Sequence, residues 1–203
     1  MLAPVSGAAR LVLASASPRR RDLLASLGVP FVVVASDIDE TLDTVSLPDA
    51  VARVALRKAR AVAVSRADSL VLAADTLVVI DGRALGKPAD AADAAAMLRT
   101  LRGRTHEVMT GVAVVDAAGG GHAVETVITR VTMAAYADAA IEAYVATGEP
   151  FDKAGAYAIQ GAGGALVASF DGSRSNVVGL PLAATASLLR RFGLAVSAPP
   201  PGA

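Results

Sequence analysis

The feature of this sequence that most constrains its fold is the run Leu70–Ile80, which is apolar except for Asp75 and Thr76. Its length and its β-branched residues are typical of a buried strand, and the Asp81-Gly82 pair that follows is a hairpin turn signal. Such a strand needs a sizeable core around it. A chain of 203 residues fits one domain and buries roughly 70–75% of the surface that the unfolded chain exposes.

Further elements are predicted on both sides of this strand. Apolar runs predict strands at Arg10–Ala14 and Pro30–Ser36, a long hairpin around a glycine-rich turn within Val108–Met133, and a strand entered through Gly161–Phe170. Periodicity and capping residues predict helices at Ser17–Gly28, Pro48–Arg66, Asp90–Arg102, Asp138–Thr147 and Leu182–Phe192. We therefore expect one α/β domain on an elongated mixed sheet over residues 1–196, followed by a disordered tail over residues 197–203.

Composition excludes several kinds of site. The chain has no cysteine, so it has no disulfide, no thiolate metal site and no cysteine nucleophile. Its two histidines are His106 and His122, and the second follows a glycine-rich turn, which argues against a two-histidine zinc site. A bound metal is therefore expected to have oxygen ligands, which favours Mg²⁺ or Mn²⁺.

Charge and hydropathy limit the partners that we expect. The formal net charge of zero lacks the positive excess of a protein that binds a nucleic-acid backbone. Although 54% of the residues are hydrophobic, no apolar stretch approaches the roughly 18 residues of a membrane-spanning helix. The start of the chain lacks the pattern of a secretory signal. We expect a cytoplasmic protein that binds neither nucleic acid nor membrane.

A candidate anion site lies at Ser15–Arg21, where a strand ends and a helix begins with Ser17 as N-cap and Pro18 at the first helical position. The free N–H groups and the helix dipole favour an anion there. Three consecutive arginines at the same end oppose the dipole unless a polyanion such as a triphosphate offsets them. The alternative is that Asp22, Glu40 or solvent neutralises these charges.

Asp75 is the second candidate, because a lone buried carboxylate costs several kcal/mol and needs a metal, a lysine or backbone donors as partners. Carboxylates in such surroundings often act as general bases or metal ligands. A structural role, in which Asp75 bonds to the local turn, is equally open.

Residue types that are rare in this chain mark further candidates. The chain uses arginine for most of its positive charge, so its few lysines are expected where arginine would not serve. Its only lysines are Lys58, Lys87 and Lys153, its only glutamine is Gln160 and its only asparagine is Asn176. Lys58 and Lys87 suit non-bridging phosphate oxygens, because an ammonium group is a compact charge. Lys58 could equally lie on a solvated helix face.

Two loops complete the set of candidates. In Gly148–Gly161, the Gln160 amide offers an acceptor and a donor that match the N3–H and O4 edge of uracil or thymine if neighbours hold the amide. The alternative there is an ordered loop with an ion pair between Asp152 and Lys153. The loop Gly172–Pro181 either caps the last helix or helps to close the site.

In their order along the chain, these motifs resemble those of the Maf-like nucleotide pyrophosphatases. Ser15–Arg20 is similar to the S-x-S-P-R-R signature and Ala74–Thr76 to its A-D-T strand, and Lys87-Pro88 and Asp152–Gln160 follow in the expected order. The resemblance extends from Leu11 to about Phe192. It implies an elongated mixed sheet with flanking helices and two lobes around a cleft, similar to inosine triphosphate pyrophosphatases.

The resemblance also implies roles for individual residues. Asp75 would be the proton acceptor that activates water, with Glu40 and Asp75 as ligands of a divalent cation, Mg²⁺ or Mn²⁺. Arg19, Arg20, Lys58 and Lys87 would hold the phosphates, with the two lysines as catalytic residues beside Asp75, and Ser15 would also bind the substrate. The positions that would set base preference are Arg19, Thr76 and Gln160.

The D-K-A-G-A-Y-x-I-Q-G form resembles the dTTP/UTP branch of the family, so we expect hydrolysis of dTTP and UTP. We also expect a homodimer, because homodimers are the commonest soluble oligomers and the family resemblance implies one. Ala158 replaces the usual glycine and Arg174 a common aromatic residue, which leaves modified pyrimidine nucleotides open as substrates. Two other functions remain open: a nucleotide-binding regulator of division or septum formation, and a pyrophosphatase for purine triphosphates such as ITP.

Overall fold

A computed structural model of the protein describes residues 11–42 and 46–200, which form a single mixed sheet with helices on its faces. The strands are β1 (Leu11–Leu13), β2 (Phe31–Val33), β3 (Leu70–Ile80), β4 (Arg83–Leu85), β5 (Thr105–Asp116), β6 (His122–Met133) and β7 (Val167–Asp171). The helices are α1 (Pro18–Ala25), α2 (Leu47–Ala63), α3 (Ala91–Leu101), α4 (Asp138–Ala146), α5 (Arg174–Val178) and α6 (Leu182–Arg191). Three 3₁₀ turns lie at Glu149–Asp152, Ala154–Ala156 and Gly161–Leu166.

The strand order is β2-β1-β3-β5-β6-β7, and β4 pairs with β3 beside this path. Strand β1 runs parallel to β2 and β3, whereas every other described pair is antiparallel. The predicted mixed sheet with flanking helices is therefore confirmed. The long strands β3, β5 and β6 form its centre.

Strand β3 is apolar apart from Asp75 and Thr76 because helices cover it on both faces. Leu70, Leu72 and Ala74 belong to a core cluster that also contains residues of α1 and α6. Val71 and Ala73 belong to a second cluster, which includes residues of α2. Since successive side chains of a strand point to opposite faces, a strand between two helical layers reads as a continuous apolar run.

Most predicted elements are present with ends shifted by a few residues, and β3 has the predicted bounds. The difference lies near the C-terminus, where the short helix α5 was not predicted and Gly161–Leu166 forms a 3₁₀ turn before β7. Helix α5 has five residues, too few for a periodic pattern to emerge in the sequence. Arg10, the first residue of a predicted strand, lies outside the described residues.

The end of the described chain contacts the body of the domain. The backbone N–H of Ser197 donates to the Leu27 carbonyl at 2.9 Å, and residues 201–203 lie outside the described part. The domain boundary and the disordered tail stay predictions. Among residues 11–42 and 46–200, no helix is both long and apolar enough to cross a bilayer.

Candidate active site

A cleft of about 760 Å³ opens beside the carboxyl end of β1 and the middle of β3. It is bordered by the start of α1, by α2, by the turn after β4 and by the loops on either side of β7. Every residue predicted for the site lines this cleft: Ser15, Arg19, Arg20, Glu40, Lys58, Asp75, Thr76, Lys87 and Gln160. The fold thus brings together residues that are far apart in the sequence.

The start of α1 forms one wall of the cleft. Ser17 caps the helix, since its hydroxyl accepts from the Arg20 backbone N–H at 3.4 Å, and Pro18 occupies the first turn. The Ser15 hydroxyl in turn accepts from the backbone N–H of Ser17 at 3.2 Å. No acidic residue lies in the first turn of α1, so the positive end of the helix dipole faces this wall without a local counter-charge.

The Arg20 guanidinium donates three hydrogen bonds to other groups of the protein. It donates to the Gly179 carbonyl at 2.8 Å, to the Thr76 hydroxyl at 3.1 Å and to the Ser15 hydroxyl at 3.4 Å. Burial lowers the pKa of Arg20, and the nearby negative charge of Asp75 opposes that shift. With five N–H groups on a guanidinium, Arg20 keeps donors for a ligand while three of them fix its orientation.

Arg19 forms an ion pair across the cleft wall with Asp152, with 2.9 Å between Nη1 and Oδ2. The predicted ion pair between Asp152 and Lys153 is also present, at 2.5 Å. Partial burial would raise the pKa of Asp152, but hydrogen bonds from Lys153 and Arg19 outweigh it and lower that pKa. The ion pair between Arg19 and Asp152 therefore links α1 to the loop that precedes Gln160.

Lys58 lies between two carboxylates. Its Nζ atom is 2.7 Å from Oδ1 of Asp75 and 2.8 Å from Oε1 of Glu40. The side chains of Lys58 and Asp75 are 7% and 11% exposed, so the interpretation of Lys58 as part of a solvated helix face is wrong. Partial burial would raise the pKa of Glu40, but the hydrogen bond and charge of Lys58 outweigh it and lower that pKa.

Lys58 reaches Asp75 because α2 packs directly on the sheet. Gly111 of β5 is paired with Asp75 in the register of the sheet. A Cβ atom on Gly111 would lie 2.6 Å from the Val51 carbonyl oxygen and 2.8 Å from the Ala52 backbone. Gly111 does not stand out in the sequence, because a lone glycine in an apolar strand does not reveal which backbone approaches it.

A chain of hydroxyl groups continues from Arg20 into the protein. The Thr76 hydroxyl lies 3.0 Å from that of Thr110, a fully buried residue that donates to the Asn176 carbonyl at 3.2 Å. The Asn176 amide donates to the Val108 carbonyl and to the Thr129 hydroxyl, both at 2.9 Å. The rare asparagine therefore anchors α5 to strands β5 and β6, and Thr110 is a site neighbour that sequence reasoning missed.

The loop Gly172–Pro181 both caps helices and borders the cleft, as each of its two interpretations required. Ser173 caps α5, and the Ser175 hydroxyl accepts from the backbone N–H of Leu182 at 3.0 Å, at the start of α6. Gly179, which follows α5 with a φ of 115°, lines the cleft and binds Arg20 through its carbonyl.

Gln160 lies at the cleft, but no neighbouring residue holds its amide in one orientation, as recognition of uracil or thymine would require. The residue is exposed, and within the described part of the chain its amide makes no hydrogen bond. Tyr157, three positions before Gln160, pairs with buried His106 and not with the amide, with 2.7 Å between the phenol oxygen and Nε2. The Gln160 amide is therefore free to turn over.

Lys87 is exposed and lines the cleft from the turn that follows β4. Its positive charge contributes to the lowered pKa of Glu40, after the contributions of Lys58. The neighbouring Gly86 carbonyl accepts from the Gly155 backbone N–H at 3.0 Å, which joins this turn to the loop of Asp152. Basic groups from α1, α2 and the turn after β4 thus line the same cleft as Asp75.

Few side chains of the described residues could together serve as oxygen ligands of a metal. Residues 11–42 and 46–200 contain no group of three or more His, Asp or Glu side chains that could hold a metal ion. Asp75 and Glu40 nevertheless converge on one Lys58 amine, so their carboxylates lie close to each other in the cleft. Two carboxylates fit Mg²⁺ or Mn²⁺, which bind through one or two carboxylates together with substrate phosphates and water.

Comparisons with known proteins agree with this geometry. A family model of Maf-like proteins matches residues 10–192. A dTTP/UTP pyrophosphatase of Moorella thermoacetica is 57% identical over 188 residues, which cover 92% of this chain and 97% of the relative. The protein of the same name from Anaeromyxobacter dehalogenans is 57% identical over 189 residues, covering 92% of this chain and 95% of the relative. That of Symbiobacterium thermophilum is 51% identical over 185 residues, covering 91% and 94%. Because the family model and these relatives match nearly the whole length of the chain, it belongs to the Maf-like protein family.

Proposed function

We propose that this chain is a nucleoside triphosphate pyrophosphatase that converts dTTP and UTP to the monophosphate and pyrophosphate. The observation that carries the proposal is the buried pair of Asp75 and Lys58, 2.7 Å apart, in a cleft whose walls carry Arg19 and Arg20. The relatives named dTTP/UTP pyrophosphatase support the choice of substrate, since they match this chain at 51–57% identity over most of its length.

The phosphates are proposed to bind between the start of α1 and the two lysines. The free N–H groups of α1, with Ser15 beside them, suit an anion, and Arg19 and Arg20 add donors that can grip phosphate oxygens. Lys58 and Lys87 supply compact charges for the oxygens that gain charge as the anhydride opens. Phosphate binding would also offset the mutual repulsion of the arginines.

Asp75 is proposed to accept the proton of the attacking water. The water oxygen bonds to the α-phosphorus while the bond from that phosphorus to the bridging oxygen breaks, and pyrophosphate leaves with the electron pair. The Lys58 ammonium holds one oxygen of Asp75, which fixes the carboxylate without occupying the other oxygen. General-base catalysis of this kind contributes about 10²–10⁴-fold to a rate.

A divalent cation, Mg²⁺ or Mn²⁺, is proposed to bind through Asp75 and Glu40, and when bound it neutralises phosphate charge. Both carboxylates are held by Lys58, which sets their positions before a metal arrives.

The base is proposed to lie near Arg19, Thr76 and Gln160, which all line the cleft. Ala158 lines the same cleft, and Arg174 lines an adjoining cavity of about 380 Å³ together with Arg19 and Gln160. Substituted pyrimidines are therefore proposed as additional substrates, which is consistent with a house-cleaning role.

The test is pyrophosphate release from UTP, dTTP, CTP and ITP in the presence of Mg²⁺. We expect UTP and dTTP to be cleaved best. Preference for ITP would assign the chain to purine triphosphates. Nucleotide binding without pyrophosphate release would identify a regulator that binds nucleotides without hydrolysing them.

Asp75→Asn is the matched variant for the same assay. We expect it to bind nucleotide and to lose about two or more orders of magnitude in turnover, because the amide keeps the shape of the carboxylate but accepts no proton. The measurement is kcat from pyrophosphate release, with nucleotide binding measured by calorimetry. Turnover within a few-fold of the wild type would remove Asp75 from the role of general base.

We further propose that the protein acts in the cytoplasm as a homodimer. The absence of cysteine is compatible with a reducing compartment, and two-fold dimers are the commonest soluble oligomers. Light scattering coupled to size-exclusion chromatography gives the mass directly, and a mass near 20.3 kDa at assay concentration would contradict the dimer.

A further inference from the structure

Arg19 and Arg20 are neighbours on α1 and both line the cleft, but they are held in different ways. Arg20 donates hydrogen bonds to three groups of the protein. Among the described residues, the Arg19 guanidinium makes a single bond, from Nη1 to Oδ2 of Asp152 at 2.9 Å. An arginine side chain has many rotamers, and free rotation spreads it over all of them. The orientation of Arg19 therefore depends on Asp152.

Lys153 holds Asp152 in turn. Its ammonium group lies 2.5 Å from Oδ1 of Asp152 and also donates to the Glu149 carbonyl. The two oxygens of Asp152 thus bind two different cations, Lys153 on one side and Arg19 on the other. The side chain of Lys153 is 13% exposed and that of Asp152 is 62% exposed, so the lysine is the anchored end of this chain of charges.

The loop that carries these residues is itself fixed to the sheet. The Gly155 backbone N–H donates to the Gly86 carbonyl at 3.0 Å. A Cβ atom on Gly155, whose φ is 69°, would lie 2.8 Å from a methyl group of Val78 in β3. The phenol of Tyr157 lies 2.7 Å from the His106 ring of β5. The loop therefore offers a rigid base from which Asp152 can orient a side chain of α1.

We propose that Asp152 and Lys153 are positioning residues of the cleft: Lys153 anchors the Asp152 carboxylate, and Asp152 orients the Arg19 guanidinium toward the bound nucleotide. The inference rests on the proposed function. One bond to Asp152 leaves the other N–H groups of Arg19 for a ligand. A side chain that is oriented before the ligand arrives loses less entropy on binding.

Charge and orientation predict opposite effects for Asp152→Asn, in which the side chain keeps its shape. Loss of a carboxylate beside a polyanion lowers KM for UTP if only charge matters. Loss of the hold on Arg19 raises it. We expect KM to rise about five-fold, the upper end of the range for exposed ion pairs, with kcat within about two-fold of the wild type. Only the loss of orientation explains a rise, so the sign of the change is decisive.

The matched control is Asp138→Asn. Asp138 is also exposed and pairs with two arginines, Arg99 and Arg102, but it does not line the cleft. This variant loses ion pairs of the same kind, and its KM for UTP should equal that of the wild type. A rise in both variants would show that the effect of Asp152→Asn is not specific to Arg19.

A double-mutant cycle with Arg19→Ala tests whether Asp152 acts through Arg19. Without the guanidinium, Asp152→Asn has nothing to release, so KM should stay where Arg19→Ala placed it. Pyrophosphate release from UTP at one Mg²⁺ concentration gives KM and kcat for each variant. A KM for Asp152→Asn that is unchanged or lower, or a rise of equal size with and without Arg19, overturns the inference.

A second cycle separates anchoring by Lys153 from direct binding of phosphate, since Lys153 also lines the cleft. Lys153→Met should raise KM in the wild type and leave it unchanged in an Asp152→Asn background. A rise of equal size in both backgrounds would make Lys153 a phosphate ligand and overturn its anchoring role. If Lys153→Met does not fold, as judged by thermal unfolding, Lys153→Gln removes the charge with a polar side chain.

Failure of the proposed function would be distinguishable from failure of this inference. If the wild type releases pyrophosphate from neither UTP nor dTTP, the proposed function fails, and calorimetric binding of UTP with Mg²⁺ tests the inference instead. Asp152→Asn should then raise Kd about five-fold, and only when Arg19 is present. An unchanged or lower Kd, or no binding by the wild type, would overturn it.

Discussion

One ammonium group holds two carboxylates of the cleft in place. Lys58 lies within 2.7–2.8 Å of Asp75 and Glu40, and its own side chain is 7% exposed. A buried carboxylate without such a partner would be costly, and loss of one member of a buried pair typically costs about 3–5 kcal/mol. The pairing explains how a carboxylate can lie within the apolar strand β3.

The exposed amide of Gln160 leads to a prediction about base preference. We expect Gln160→Ala to lower kcat/KM for UTP and CTP alike and to change their ratio by less than about five-fold, because a freely rotating amide satisfies either base. The assay is pyrophosphate release from UTP, dTTP and CTP at one Mg²⁺ concentration. A large fall in the UTP-to-CTP ratio would mean that bound substrate immobilises the amide and that Gln160 reads the base.

At the scale of the elements, the contact between α2 and β5 depends on Gly111. In Gly111→Ala the new methyl group would lie 2.6 Å from the Val51 carbonyl, so α2 must move away from the sheet. We expect a loss of about 1–3 kcal/mol in the free energy of unfolding, as for other overpacked cores. Turnover should fall as well, because α2 carries Lys58.

The control is Gly121→Ala, in the turn of the same hairpin. Its new Cβ atom would meet only Phe192, at 3.6 Å, which is an ordinary contact. Urea unfolding of both variants measures the difference in stability. Equal stability of Gly111→Ala and the wild type would show that α2 and β5 can separate without cost.

The contact between β5 and the loop before Gln160 leads to a prediction about pH. Burial lowers the pKa of His106 from 6.5 to about 4, and Nδ1 of this ring has no hydrogen-bond partner. The unfolded chain therefore binds a proton between these two values that the folded protein does not. Stability is complete above pH 6.5 and falls by about 3 kcal/mol as the pH drops toward 4.

Urea unfolding at several pH values between 4 and 7 tests this linkage. The side chain of His106→Gln does not titrate, so this variant should lose less stability than the wild type over that interval. Parallel pH profiles of the two proteins would mean that His106 is protonated as readily in the folded state as in the unfolded chain.

At the scale of the whole molecule, the cleft joins parts of the chain that are distant in sequence, so ligand binding should stabilise the fold as a unit. For Asp75→Asn, which we expect to bind nucleotide without rapid turnover, UTP with Mg²⁺ at about 100 times Kd should add about 2.7 kcal/mol. In a chain of this size that corresponds to a rise in Tm of about 5–10 °C. Differential scanning fluorimetry with UTP alone, Mg²⁺ alone and both provides the comparison. No rise with both ligands would contradict nucleotide binding in the cleft.

The sequence by itself determined most of the elements and the residues to be sought in the cleft. Strand β3 has the predicted bounds, and Ser17, Asp90 and Asp138 lie at or next to helix starts as expected, because apolar continuity and capping depend on neighbouring residues. Every predicted site residue lines the cleft. Asp75 and the arginines stood out because an unpaired charge is costly, the lysines and Gln160 because they are rare in this chain, and Glu40 and Thr76 through the family resemblance.

Tertiary structure alone decided how these residues are held. Arg20 and Gly179 are separated by 159 positions, and Thr110 and Asn176 by 66, so no local pattern indicates that they bond. No local pattern indicates the close approach of α2 to Gly111 either, or that no neighbour bonds to the Gln160 amide. Capping and periodicity act between residues a few positions apart, whereas the orientation of a guanidinium or the freedom of an amide depends on whichever groups the packed sheet and helices bring beside it.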